Sequence, residues 1–255
     1  MSNDEPYELN ALALYPPAAL TFLRVAAGVR LTNVFSTALN LPRILELDFP
    51  YQRYVFSDPL GNSSSVPPPP PPPPPPLPLR SFSAPETIGD PRGIGVLAAR
   101  APNLERLILN SLTANGWSAL SRLHSLRVLR LSTEGQLPPS AHFTILAELP
   151  HFQRLYVALQ GQGQEDEFTA DHLLAISRSR SWRSIGLIGM KGKWIERKCT
   201  ILLPPSVAAD DMEQLNQVCF DYRHWGTAKL VRFQLEQTGS AGGGGQVEMQ
   251  WIAVA

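Results

Sequence analysis

Cysteine is nearly absent. The 255 residues hold 2, Cys199 and Cys219, outside any CxxC pair. That is too few for a disulfide framework or a thiolate metal site, and a reducing compartment is the simplest setting. Long hydrophobic runs are missing too: no stretch of eighteen apolar residues occurs, so no membrane-spanning helix is expected. Met1 to Glu5 is polar and acidic rather than basic then apolar, unlike a secretion signal. There is no net charge, since Lys plus Arg number 22 and Asp plus Glu number 22. That balance excludes a general nucleic-acid binder and makes any charged recognition local. An intracellular protein, cytoplasmic or nuclear and without a membrane partner, is expected.

Catalytic signatures are lacking as well. No G-x-S-x-G, HExxH or GxGxxG occurs. Gly186, Gly189 and Gly192-Lys193 miss the spacing of a phosphate loop, and Trp194 stands where Ser or Thr would bind magnesium. Cys219, Asp221 and His224 are close in sequence, but a helix would bury Cys219 as a packed core residue rather than a nucleophile. His124, His142, His151 and His172 fall in junctions or helices, where capping and surface roles are the default. No catalytic residue, metal site or cofactor is assigned, and an enzyme is not expected.

What is present is a repeated phrase. Segments starting at Leu104 (LERLIL), Leu126 (LRVLRL), Phe152 (FQRLYV) and Trp182 (WRSIGL) carry apolar residues at positions one, four and six, at separations of 22, 26 and 30 residues. Stacked strand-and-turn units of this kind bury their leucines only against their neighbours. Two weaker phrases precede them, at Leu20–Val25 and Pro42–Leu47. Helical punctuation separates the strands. Asp90-Pro91 opens a helix through Val96 and Leu97; Trp117, Leu120 and Leu123 share a face. Ser140 is placed to cap a helix with Phe143, Leu146 and Leu149, and Thr169 one with Leu173, Leu174 and Ser177.

Between the weak and the clear phrases, residues 51–92 read as a disordered proline-rich insertion. Its ten consecutive prolines, Pro67 to Pro76, cannot join a sheet and favour a solvated polyproline II rod. Residues 1–50 read as degenerate N-terminal repeats and 93–193 as the repeat core. Residues 194–255 read as a C-terminal α+β cap: a strand over Lys198–Leu203, a helix from Ser206 to about Trp225 with Met212, Leu215, Cys219 and Tyr222 on one face, and a β-hairpin. In the hairpin, Val231, Phe233 and Leu235 answer Val247, Met249 and Trp251 across the Gly242–Gly245 linker. The expected fold is α/β: an irregular solenoid with a parallel sheet, outer helices and a strand-helix-hairpin cap.

The run Gly95 to Leu109, GVLAARAPNLERLIL, resembles the helix-to-strand junction of leucine-rich repeat proteins, especially the substrate-receiving half of F-box proteins. The resemblance covers about residues 95–190. It implies an arc with its sheet inside and, for F-box members, delivery of a bound protein to a ubiquitin ligase through an adaptor. Ala101 replaces the usual cysteine, Leu112, Glu134, Gln160 and Met190 replace the asparagine ladder, and residues 1–45 hold no F-box.

Alternation along a strand turns the third and fifth positions of each phrase to the face away from the leucines. The third column reads Phe22, Ile44, Arg106, Val128, Arg154 and Ser184; the fifth reads Arg24, Glu46, Ile108, Arg130, Tyr156 and Gly186. Arg106, Ile108, Val128, Arg130, Arg154 and Tyr156 are the candidate partner-binding set, because arginine and tyrosine anchor interfaces and clustered guanidinium groups take carboxylates or phosphates. Solvated strand arginines are the competing explanation. A second candidate is PxxPxR, with Pro75, Pro78 and Arg80, a ligand for an SH3 groove, while the pure proline run suits profilin-type clefts; an adaptor built on this arm is the alternative function. Residues 178–198 hold seven basic residues against Glu196, read as a solvated rim in preference to a nucleic-acid site.

Overall fold

Position four of the repeated phrase is what the folded chain aligns. Leu23, Leu47, Phe82, Leu107, Leu129, Leu155, Ile185 and Phe220 stand side by side on neighbouring parallel strands, paired in register. The strands are β1 (Phe22–Arg24), β2 (Glu46–Asp48), β3 (Ser81–Ala84), β4 (Arg106–Leu109), β5 (Val128–Glu134), β6 (Arg154–Gln160), β7 (Ser184–Ile188) and β9 (Cys219–Arg223). A computed structural model of the chain describes residues 20–24, 43–48, 76–84, 91–110, 112–134, 137–160, 169–188, 201–203, 209–223, 231–241 and 246–254. With β8 (Ile201–Leu203), β10 (Val231–Ala241) and β11 (Gln246–Val254), the described residues form an 11-stranded sheet ordered β1-β2-β3-β4-β5-β6-β7-β9-β10-β11-β8. The protein is α/β with a mostly parallel sheet; only the pairs β9–β10, β10–β11 and β11–β8 are antiparallel.

Parallel neighbours need crossovers, and among the described residues the five from β3 to β9 contain helices. These are α1 (Pro91–Arg100), α2 (Ala114–Ala119, continued by a 3-10 turn at Leu120–Arg122), α3 (Ser140–Ala147), α4 (Ala170–Ser177) and α5 (Ala209–Gln217). Ile94, Leu97, Trp117, Phe143, Leu146, Leu173, Ile176, Met212 and Leu215 from these helices share one buried cluster with the strand leucines. Burying a side chain of this size contributes about 1.5–3 kcal/mol, so each unit depends on the next for its hydrophobic face. Position one is buried throughout, in Leu104, Leu126, Phe152 and Trp182. Its aromatic members lock together and onto α3: Trp182 meets Phe152 edge-on with ring centres 5.2 Å apart and stacks on Phe143 of α3 at 5.9 Å.

Side-chain caps hold the helix starts. Thr113 Oγ1 accepts the Gly116 N–H at 3.0 Å at the head of α2. At α4 the Thr169 N–H donates to Nδ1 of buried His172 at 3.2 Å. Nδ1 therefore carries no proton, and Nε2–H donates to the Pro138 carbonyl oxygen at 3.1 Å. His172 thus ties α4 to the segment leading into α3. Ser140 does not cap α3: it is the first residue of that helix, and Pro139 occupies the cap position without a side-chain bond.

Four further expectations need correction. Glu46, not Ile44, pairs with Phe22, so the second phrase begins two residues later than expected, at Ile44, which is buried. Leu79-Arg80-Ser81-Phe82-Ser83-Ala84 is a repeat phrase inside the stretch expected to be an insertion: it forms β3 and fills the place between β2 and β4. The helix from Ser206 to Trp225 is shorter, ending at Gln217, and Cys219 and Tyr222 lie on β9, the eighth parallel strand. The C-terminal unit therefore does not begin as a cap at residue 194; the parallel run continues through Arg223, and the hairpin β10–β11 extends it from β9. In that hairpin Leu235 pairs with Trp251 along the backbone, with a register shift between Gln237 and Gly239. The expected Asp90 cap, the proline run before Pro76, the Gly242–Gly245 linker and His224 lie outside the described residues.

Candidate partner-binding face

The helices pack on one side of the sheet, and the third and fifth positions stand on the other. Pairing sets Arg106, Val128 and Arg154 in one row across β4, β5 and β6, and Ile108, Arg130 and Tyr156 in the next. The six expected residues therefore form one contiguous block. Within it the charges alternate with apolar side chains in a checkerboard. Arg106, Arg130 and Arg154 are exposed, while Ile108, Val128 and Tyr156 are half-buried between them.

Charges at the margins of this face neutralise one another. On the N-terminal side Arg24 meets Asp48 at 3.3 Å. On the C-terminal side Arg232 Nε donates to Asp221 Oδ1 at 2.8 Å, and this hydrogen bond, with the Asp221 charge, raises the Arg232 pKa above its ordinary value. Among the described residues, Arg106, Arg130 and Arg154 make no ion pair with the chain itself. Among the described residues, the centre of the face holds three cations and no anion.

Tyr156 is held in place by what its neighbour lacks. Its ring lies over Gly186 on β7, where a Cβ would come within 2.3 Å of a ring carbon. Glycine here lets the ring lie flat along the sheet. Beyond it Ser184 and the half-buried Cys219 continue the first row, with Gln234 Nε2 3.9 Å from the Cys219 sulfur. Cys219 is thus on the open face, not in the helix-side core. Sequence reading missed Cys219 and Asp221 as members of this face, because helical spacing from Met212 concealed β9, and with them Arg232, whose place follows from its ion pair with Asp221.

A separate polar groove runs along the N-terminal ends of the strands. It encloses about 410 Å³ and is lined by Leu45, Pro78, Arg80, Asn103, Glu105, Ser125, Arg127 and His151. These are second-position residues and the turns before them, a column the repeat phrase itself could have named. Pro78 and Arg80 of the PxxPxR motif belong to this wall. Arg80 sits 3.7 Å from Glu105, Leu77 and Leu79 beside Pro78 are buried, and the Leu77 N–H donates to the Arg100 carbonyl oxygen at 2.6 Å. The last residues of the motif are therefore part of the fold; Pro75 lies outside the described residues. In the basic stretch, Arg180 donates to the Asp210 carbonyl oxygen at 2.8 Å, tying it to α5.

Among the described residues, no group of three or more His, Cys, Asp or Glu side chains gathers as a metal site would require. No helix among them is long and apolar enough to cross a membrane. No family model, curated protein or solved structure matches the chain.

Proposed function

We propose that the chain is a leucine-rich-repeat-like interaction module, without catalysis or cofactor, that binds a protein partner on the open face of its sheet. One observation carries this role: three exposed arginines, without an ion pair among the described residues, alternate with half-buried Ile108, Val128 and Tyr156 on adjacent strands. An exposed arginine kept only for solubility needs no such neighbours, whereas interfaces combine arginine and tyrosine anchors with apolar ground. The repeat resemblance adds the substrate-receptor role of F-box proteins as the biological setting.

Affinity capture from cells tests the role. The full chain is compared with a variant carrying Arg106→Ser, Arg130→Ser and Arg154→Ser. The expected outcome is a set of proteins recovered by the full chain and lost by the variant, and a ubiquitin-ligase adaptor recovered by both would support the receptor setting. Identical recovery by the two chains would discard the binding face.

A further inference from the structure

We infer, building on the interaction role proposed above, that the open face takes an acidic amphipathic α-helix of a protein partner. The helix lies across β4, β5 and β6, with carboxylates at positions i, i+3 and i+7 meeting Arg106, Arg130 and Arg154.

Spacing selects the helix. Strands lie about 4.8 Å apart, so the three arginines advance across the sheet in steps of about 4.8 Å and about 9.6 Å. A helix rises about 1.5 Å per residue, which places i+3 at about 4.5 Å and i+7 at about 10.5 Å. The long arginine side chains absorb the remaining difference. Arg130 also stands in the second row, displaced along its strand from Arg106 and Arg154. On a helix, i+3 is likewise turned to one side of the line joining i and i+7, because each residue rotates by about 100°. An apolar residue at i+4 then rests on Val128, between the two arginines of the first row.

An extended segment fits less well. Its same-side residues repeat at about 6.8 Å, out of step with the strands by the second and third contacts. Laid along the strands instead, it would meet one arginine per strand. Charge sets the limits of the acidic stretch. Glu46 shares the row of Arg106 two strands away and would repel a carboxylate at i−7. The paired Asp48 and Asp221 do not compete for the central arginines.

The probe is a fluorescein-labelled, side-chain-stapled alanine-based peptide of about 16 residues, long enough for four helical turns, with Glu at i, i+3 and i+7 and Leu at i+4. Binding to the full chain is followed by fluorescence anisotropy at low and moderate salt. The helix should bind, and replacing its Glu residues by Gln should abolish binding. Arg130→Ser, whose unchanged urea midpoint would show an intact fold, should weaken it about tenfold, the scale of one charged hydrogen bond. The inference is overturned if a peptide with Glu at i, i+2 and i+4, or an unstructured phosphopeptide, binds as tightly as the helix. It is also overturned if no helix binds while the triple-arginine variant still loses captured proteins, a result that leaves the interaction role standing. If that variant loses nothing, the role itself fails.

Discussion

Gly186 and Tyr156 occupy one site on adjacent strands: the tyrosine ring lies where a side chain on residue 186 would begin, 2.3 Å from its Cβ position. Gly186→Ala must displace the ring or shift the backbone, at about 1–3 kcal/mol for overpacking. With Tyr156→Ala already in place, the same substitution should cost little. A double-mutant cycle by urea denaturation measures this coupling, and additive costs would show that the ring does not rest on the glycine.

Leu129 and Arg130 are neighbours on β5 with opposite roles. Leu129 is buried among the strand leucines, so Leu129→Ala should destabilise the chain by about 2–5 kcal/mol. Arg130→Ser, on the exposed face, should change stability by less than about 0.5 kcal/mol. Comparable losses from both would mean that the assigned faces are wrong.

His172 uses both ring nitrogens: Nδ1 caps its own helix at Thr169, and Nε2 joins α4 to the segment before α3 at Pro138. Its replacement by Phe keeps an aromatic ring near Phe143, now edge-on at 4.9 Å, but strands the Thr169 N–H and the Pro138 carbonyl. The cost should be about 1–3 kcal/mol, read from the urea midpoint. No loss would remove His172 as a tie between the helices.

His142 stacks on Trp117 with ring centres 4.5 Å apart, and burial lowers its pKa from the ordinary 6.5. The unfolded chain therefore binds more protons between the lowered value and 6.5. The stabilisation is complete above 6.5 and is lost as pH falls through that window. Urea midpoints at about pH 7.5 and about pH 5 should fall further for the natural chain than for His142→Gln. Equal falls would assign the acid sensitivity to other groups.

The repeats between Leu104 and Leu187 were legible because a strand that buries one face must place apolar residues at fixed offsets, and here every offset is filled. Three places were not, each for its own reason. Leu79 to Ala84 satisfies the phrase, yet ten prolines end three residues before Leu79 and drew the whole stretch into one loop. Met212, Leu215, Cys219 and Tyr222 keep helical spacing even though the chain changes to β9 after Val218, and only pairing with β7 distinguishes the two. Around Ile44 two registers offset by two residues both turn Leu47 inward and Glu46 outward but exchange the places of Ile44 and Leu45, and the pairing of Leu47 with Leu23 and Phe82 decides between them. The arginine checkerboard followed from the phrase alone. Its pairing pattern did not, because an ion pair such as Asp221 with Arg232 depends on which strands lie side by side.

Adjacency of the arginine-bearing strands is the claim on which the binding face rests. In a Cys199→Ser, Cys219→Ser background, a short bis-alkylating crosslinker offered to Val128→Cys with Arg154→Cys, which pair directly across β5 and β6, should close the pair efficiently. The combination Val128→Cys with Ser184→Cys, separated by β6, should remain open. Closure of the second pair in preference to the first would contradict the order of strands and dissolve the proposed face.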